Sequence, residues 1–180
     1  VGAIYAGRDW SSRGNEVRYN YIHDIKIINT TTGMKVQAIY LDDQFSSANV
    51  HGNSIKNVPS VALYGGGRYN TFVNNIVIDA REPFVFDERG IKPGESGEGS
   101  EIRNRLKSFP YNTGIWKEKY PELANILNDD PELPKYNTIK GNLAYNVPNY
   151  DVVNDVKTYG TFEEDTPVKP EDFVDYKGGD

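Results

Sequence analysis

Four short stretches of similar sequence are each followed by residues able to do chemistry. Arg8 and Asp9 follow Ala3-Ile4-Tyr5, and Asp42 and Asp43 follow Ala38-Ile39-Tyr40. Gly65, Gly66, Gly67 and Arg68 follow Ala62-Leu63-Tyr64, and Asp87, Glu88 and Arg89 follow Phe84-Val85-Phe86. Paired carboxylates suit acid, base or nucleophile roles, and glycoside hydrolysis uses two of them about 5 to 10 Å apart. If the four stretches stack as parallel strands about 4.8 Å apart, Asp42 and Asp43 lie one spacing from the glycines and two from Asp87 and Glu88. These four acids are the candidate catalytic groups. Gly65 to Gly67 would form an open floor where a ligand approaches backbone. Tyr5, Tyr40 and Tyr64 would form an aromatic column able to stack on sugar rings. Arg8, Arg68 and Arg89 would hold carboxylates in their ionised form or meet an acidic substituent. The candidate binding residues are therefore Arg8, Asp9, Tyr40, Tyr64, Gly66, Arg68 and Arg89. The same residue types also make solvated turns, an Asp-Asp pair can cap a bend, and tyrosines of inward parity would be a core stack.

What must position these groups is a repeat. An apolar residue, Asn three positions on, a small or β-branched residue two further and another three beyond recur as Val17-Asn20-Ile22-Ile25, Val50-Asn53-Ile55-Val58, Phe72-Asn75-Val77-Ala80 and Ile139-Asn142-Ala144-Val147. Internal periodicity of this kind marks a solenoid, and the step from Val50 to Phe72 is one turn of about two dozen residues. Short alternating runs with β-branched inward positions fit parallel strands, whereas no amphipathic helix fits within that step. The fold class expected is all-β, a right-handed single-stranded parallel β-helix, because parallel crossovers are right-handed. Asn20, Asn53, Asn75 and Asn142 are expected to bond to one another along the coil, and Asp24, Asn57, Asp79 and Asn146 to sit at the next bend. Both columns read as architecture.

The chain has 180 residues, net charge −6 and no cysteine, which excludes disulfides and thiolate metal sites. The acidic balance disfavours nucleic acid, and no apolar run is long enough to span a bilayer, so neither nucleic acid nor membrane is expected as a partner. His23 and His51 are isolated and read as surface residues, so no metal site is expected.

The turns are expected to span residues 1–147. A long connection from about Arg81 to Pro134 interrupts them, with a helix near 121–128 opened by Pro121 and striped by Leu123, Ile126 and Leu127. Tyr111, Trp116 and Tyr120 should pack near that helix. Residues 148–180 read as a polar tail. Uncovered strand edges at both ends suggest a piece of a larger coil, closed by the rest of the polypeptide or by a capping partner.

Several segments resemble the parallel β-helix repeat proteins that include bacterial carbohydrate-active enzymes. They are residues 14–25 (Gly14 to Ile25), the strand Ala38-Ile39-Tyr40-Leu41-Asp42-Asp43, the turn Gly65-Gly66-Gly67-Arg68-Tyr69-Asn70, and Tyr120-Pro121-Glu122-Leu123. The resemblance implies a glycoside hydrolase acting on a polysaccharide or oligosaccharide outside the cytoplasm: secreted, periplasmic or at the cell surface. No cofactor is implied. Asp42 with Asp43 looks like the adjacent Asp pair of polygalacturonase-like enzymes, but the His-containing and Arg-Ile-Lys motifs of that group are absent. A polysaccharide lyase on the same fold, which would use an Arg or Lys base and often calcium, and a non-catalytic binding or adhesive coil are the alternatives.

Overall fold

The structure, a computed structural model, describes residues 1–28, 35–148, 151–152 and 154–175. Among the described residues thirteen strands account for most of the regular structure: β1 (Gly2–Gly7), β2 (Asn15–Arg18), β3 (Tyr21–His23), β4 (Gln37–Asp42), β5 (Ala48–His51), β6 (Ser54–Gly65), β7 (Thr71–Val73), β8 (Ile76–Phe86), β9 (Thr138–Lys140), β10 (Leu143–Tyr145), β11 (Asp151–Val152), β12 (Thr161–Phe162) and β13 (Thr166–Pro167). They form two sheets. One runs β1-β4-β6-β8-β10-β13, with β3 on β6 and β11 on β8; the other runs β12-β9-β7-β5-β2. The strand pairings among the described residues are parallel and hold the repeats in register, an arrangement compatible with a parallel β-helix.

The register follows the sequence repeat. Val17, Val50, Phe72, Ile139 and Phe162 stand in one inward column. Ile22, Ile55, Val77 and Ala144 form a second, and Ile4, Ile39, Leu63 and Phe84 a third. Together they make the main core, in which Phe72 packs edge-on against both Phe84 and Phe86. The long strands β6 and β8 each serve two ladders. Their register shifts between Val58 and Val61, where Pro59 has no N–H to give.

Side chains set the bends. Asn20 donates to Asn53 Oδ1 at 2.8 Å, Asn53 to Asn75 at 2.9 Å and Asn75 to Asn142 at 3.0 Å. Asp24, Asn57, Asp79 and Asn146 all adopt left-handed backbone, with φ of 54, 58, 53 and 52°, and Asn57 and Asn146 donate to Asp24 and Asp79. Asn and Asp enter that region at less cost than other side chains. A second buried ladder appears where none was expected. Asn137 Oδ1 accepts from the Asn70 N–H and Asn70 Oδ1 from the Ala48 N–H, each at 2.9 Å.

The connection runs from Asp87, after β8, to β9, and holds three helices where one was expected: α1 (Glu101–Lys107), α2 (Gly114–Lys119) and α3 (Pro121–Ala124), the last continued by a 3-10 turn at Ile126–Asn128. Trp10, Ile102, Leu106, Leu123 and Ile126 form a second core beside the sheets, with Tyr111, Trp116 and Tyr120 packed against it. Residues beyond Val147 also differ from expectation. There β11 joins β8, β12 joins β9 and β13 joins β10, and α4 (Asn154–Tyr159) buries Val156, so this segment extends both sheets. No helix among the described residues is long and apolar enough to cross a membrane.

Candidate active site

The strand register fixes the candidate column. Gly7 pairs with Asp42, Tyr40 with Tyr64, and Gly65 with Phe86, which places Gly7, Asp42, Gly66 and Asp87 side by side on successive strands. Tyr5, Tyr40 and Tyr64 fill the neighbouring column two residues earlier, on the same outer face. Their parity is outward. Tyr40 packs edge-on against Tyr5 and Tyr64 at centroid distances of 5.5 and 4.7 Å.

The phenols serve the carboxylates. Tyr5 donates to Asp42 Oδ2 at 3.0 Å, Tyr40 donates to Asp42 Oδ1, and Tyr64 donates to Asp87 Oδ2 at 2.7 Å. Burial first, and then donation to a carboxylate, push all three phenols above their ordinary range, so they remain donors.

Arg89 gathers the acids. Its Nη1 reaches Asp42 Oδ1 at 2.9 Å and also Asp43 Oδ1, while Nη2 reaches Asp87 Oδ2 at 3.2 Å and the Tyr64 hydroxyl at 3.4 Å. Asp43 has a second guanidinium on its other oxygen, from Arg8, which also reaches Glu101 at the start of α1 at 3.1 Å. Burial alone would raise the Asp43 carboxyl, but the hydrogen bonds and charges of Arg89 and Arg8 prevail and hold it below the usual range. Asp43 also lies in a left-handed turn, φ 43°, followed by Gln44 at 66°. The chain leaves β4 abruptly there, and the two adjacent acids share Arg89 while Asp42 also takes the Tyr5 and Tyr40 hydroxyls and Asp43 takes Arg8.

The glycines differ from the open floor expected of them. Gly65, Gly66 and Gly67 are buried, and a Cβ on them would collide with the Phe86 ring, with Asp87 Oδ1 and with the Phe45 carbonyl. Gly66 makes room for a carboxylate rather than for ligand. Asp87 leans across it toward Asp42.

Other candidates sit outside this cluster. Asp9 accepts from the Ser11 N–H at 2.7 Å and the Ser11 hydroxyl at 2.6 Å, closing its own turn. Arg68 is fully buried, bound to Asp129 at 2.6 Å and near the Tyr69 and Tyr136 rings, where it ties the end of the connection to the sheets. The Glu88 side chain is half-buried and makes no hydrogen bond or ion pair among the described residues. Glu101 is the site residue the sequence did not reveal, since it arrives from α1, 93 positions from Arg8. A cavity of about 250 Å³ lies where α1 meets the strand exits, lined by Arg8, Asp43, Gln44, Glu95, Glu101 and Ile102 among others. Three larger hollows, one beside β10 and β13, one along residues 90–97 and one beside α2 and α3, do not reach Asp42 or Asp87. Among the described residues no group of three His, Cys, Asp or Glu is arranged to hold a metal ion.

Two carboxylates on strands two spacings apart, with phenol donors on one side and a shared guanidinium between, can orient a polar ligand and supply general acid and base. Compared with protein-family models, with curated proteins and with solved structures, the chain matches none.

Proposed function

We propose that the chain carries the catalytic groove of a glycoside hydrolase on a right-handed parallel β-helix, with Asp42 and Asp87 as its carboxylate pair. The observation that carries this reading is their shared column, one strand apart on each side of Gly66, with both side chains reaching Arg89. Strands two spacings apart stand about 9.6 Å from each other at the backbone, and both carboxyls lean in to one guanidinium, which is compatible with the roughly 5 to 10 Å between carboxyls that glycoside hydrolysis uses. In such a site one carboxyl protonates the leaving oxygen and the other acts as base or nucleophile.

Arg89 ties the two acids together across Gly66. Asp43 acts as a positioning residue, because it anchors Arg8 and Arg89 at once. Tyr5 and Tyr40 orient Asp42, and Tyr64 orients Asp87. A polymeric substrate of this kind is met outside the cytoplasm, so a secreted, periplasmic or surface location belongs with the proposal.

The test is release of reducing ends from a panel of polysaccharides by wild type, Asp42→Asn and Asp87→Asn. Each variant should lose at least about 100-fold in rate, the scale of a general acid or base, while keeping its circular dichroism. Wild-type rates in both variants would end the proposal.

A further inference from the structure

We infer that this groove takes a glycan without carboxylate or sulfate groups at the cleavage point, an inference that rests on the carbohydrate reading above. Proteins bind acidic sugars through cations, most firmly where a guanidinium forks onto a carboxylate or sulfate. Three arginines were candidates for that task, and the protein's own acids engage every one. Arg8 is held by Asp43 and Glu101, Arg68 by Asp129, and Arg89 by Asp42, Asp43 and Asp87.

The balance of charge points the same way. At the centre, Asp42, Asp43 and Asp87 face Arg8 and Arg89, three negative charges against two positive. Glu101 adds a fourth acid, which Arg105 also approaches at 3.4 Å. Glu88 flanks the centre and Glu95 lines the adjoining cavity, and neither has an ion pair among the described residues. Lys92 lines the separate hollow along residues 90–97. An incoming anion therefore meets surplus negative charge, and to pair with it Arg89 would have to strand partly buried acids, which is costly. Uncharged sugar hydroxyls face no such exchange. They donate to the carboxylate lone pairs and to the phenol oxygens, whose own protons are already given to Asp42 and Asp87.

Migration of the full chain through native gels at low salt, with a polysaccharide cast into the gel, tests this without requiring cleavage. At least one neutral polymer among xylan, galactan, mannan and mixed-linkage β-glucan should slow it two-fold or more, and polygalacturonate and alginate should leave it unaffected. Retardation by either polyanion, or by no neutral polymer, overturns the inference. Asp43→Asn, which suits a left-handed turn, and Glu101→Gln, which lies at the surface, each remove one of the two acids that hold Arg8. Either should gain retardation in polygalacturonate that 0.5 M salt removes, and two variants that gain nothing would show that the arginines are not what sets the charge preference. The two readings fail separately. Reducing ends released from polygalacturonate would overturn this inference and leave the hydrolase, whereas a neutral polymer bound but never cut would end the hydrolase and leave this inference.

Discussion

Asp43 is where acid should strike first. Two arginines hold its carboxyl below the ordinary value near 3.9, which the unfolded chain regains. A carboxyl depressed by folding contributes stability in full above its unfolded value and loses it as pH falls through the folded one. The urea midpoint should therefore hold between pH 7 and 5 as far as this group is concerned and drop below about pH 4. Asp43→Asn should lessen that drop without removing it, because Arg68 and Lys135 likewise hold Asp129 low against its burial. A pH profile as steep in the variant as in wild type would locate the acid sensitivity elsewhere. Gly66 offers a second residue-scale test. A methyl group there collides with Asp87 Oδ1 and pushes the carboxylate off Tyr64. Gly66→Ala should cost on the order of 100-fold in hydrolysis, the price of about 1 Å of misplacement, with thermal midpoint as the control.

The elements owe their spacing to amides. Asn75 is fully buried, gives hydrogen bonds to Asn142 and to the Val50 carbonyl, and takes them from the Asn53 amide and backbone. Asn75→Ala leaves several buried groups unpaired and should cost about 3 kcal/mol in chemical denaturation, while Asn20→Ala, half-exposed on the first layer, should cost about 1 kcal/mol. Equal losses would mean that burial does not grade the ladder. This ladder was legible because the Asn recurs within an apolar phrase of fixed spacing. The ladder of Asn70 and Asn137 left a signal too, in Tyr69-Asn70-Thr71 and Tyr136-Asn137-Thr138, but two copies 67 positions apart fall outside any regular period. The strands β12 and β13 were not legible, since two residues cannot show an alternation. In the site, the columns of Asp42, Asp87 and the tyrosines followed from register alone. What Arg68 and Glu101 bind did not, because those contacts depend on how the connection folds back.

For the whole molecule, the connection and the sheets have separate apolar cores. Trp10, fully buried, comes from the strand side and is surrounded by Ile102, Leu106, Leu123 and Ile126 of the connection. Trp10→Ala should remove about 3 to 5 kcal/mol from that second core. In hydrogen exchange the amides of α1 and α3 should lose protection while those of β5, β6 and β7 keep theirs, and uniform loss would mean that the two cores unfold as one. Since α1 carries Glu101, the same variant should loosen Arg8.

Asn53 and Asn75 are 22 positions apart along the chain, Asn75 and Asn142 are 67, and the amides meet at the same distance, 2.9 and 3.0 Å. The layer below is thus indifferent to how much polypeptide passes between Asp87 and Asn137. That makes the exit of β8 a natural splice point. A different loop or a foreign domain grafted beyond Arg89 would change what the candidate site meets while Arg89 still ties its carboxylates together.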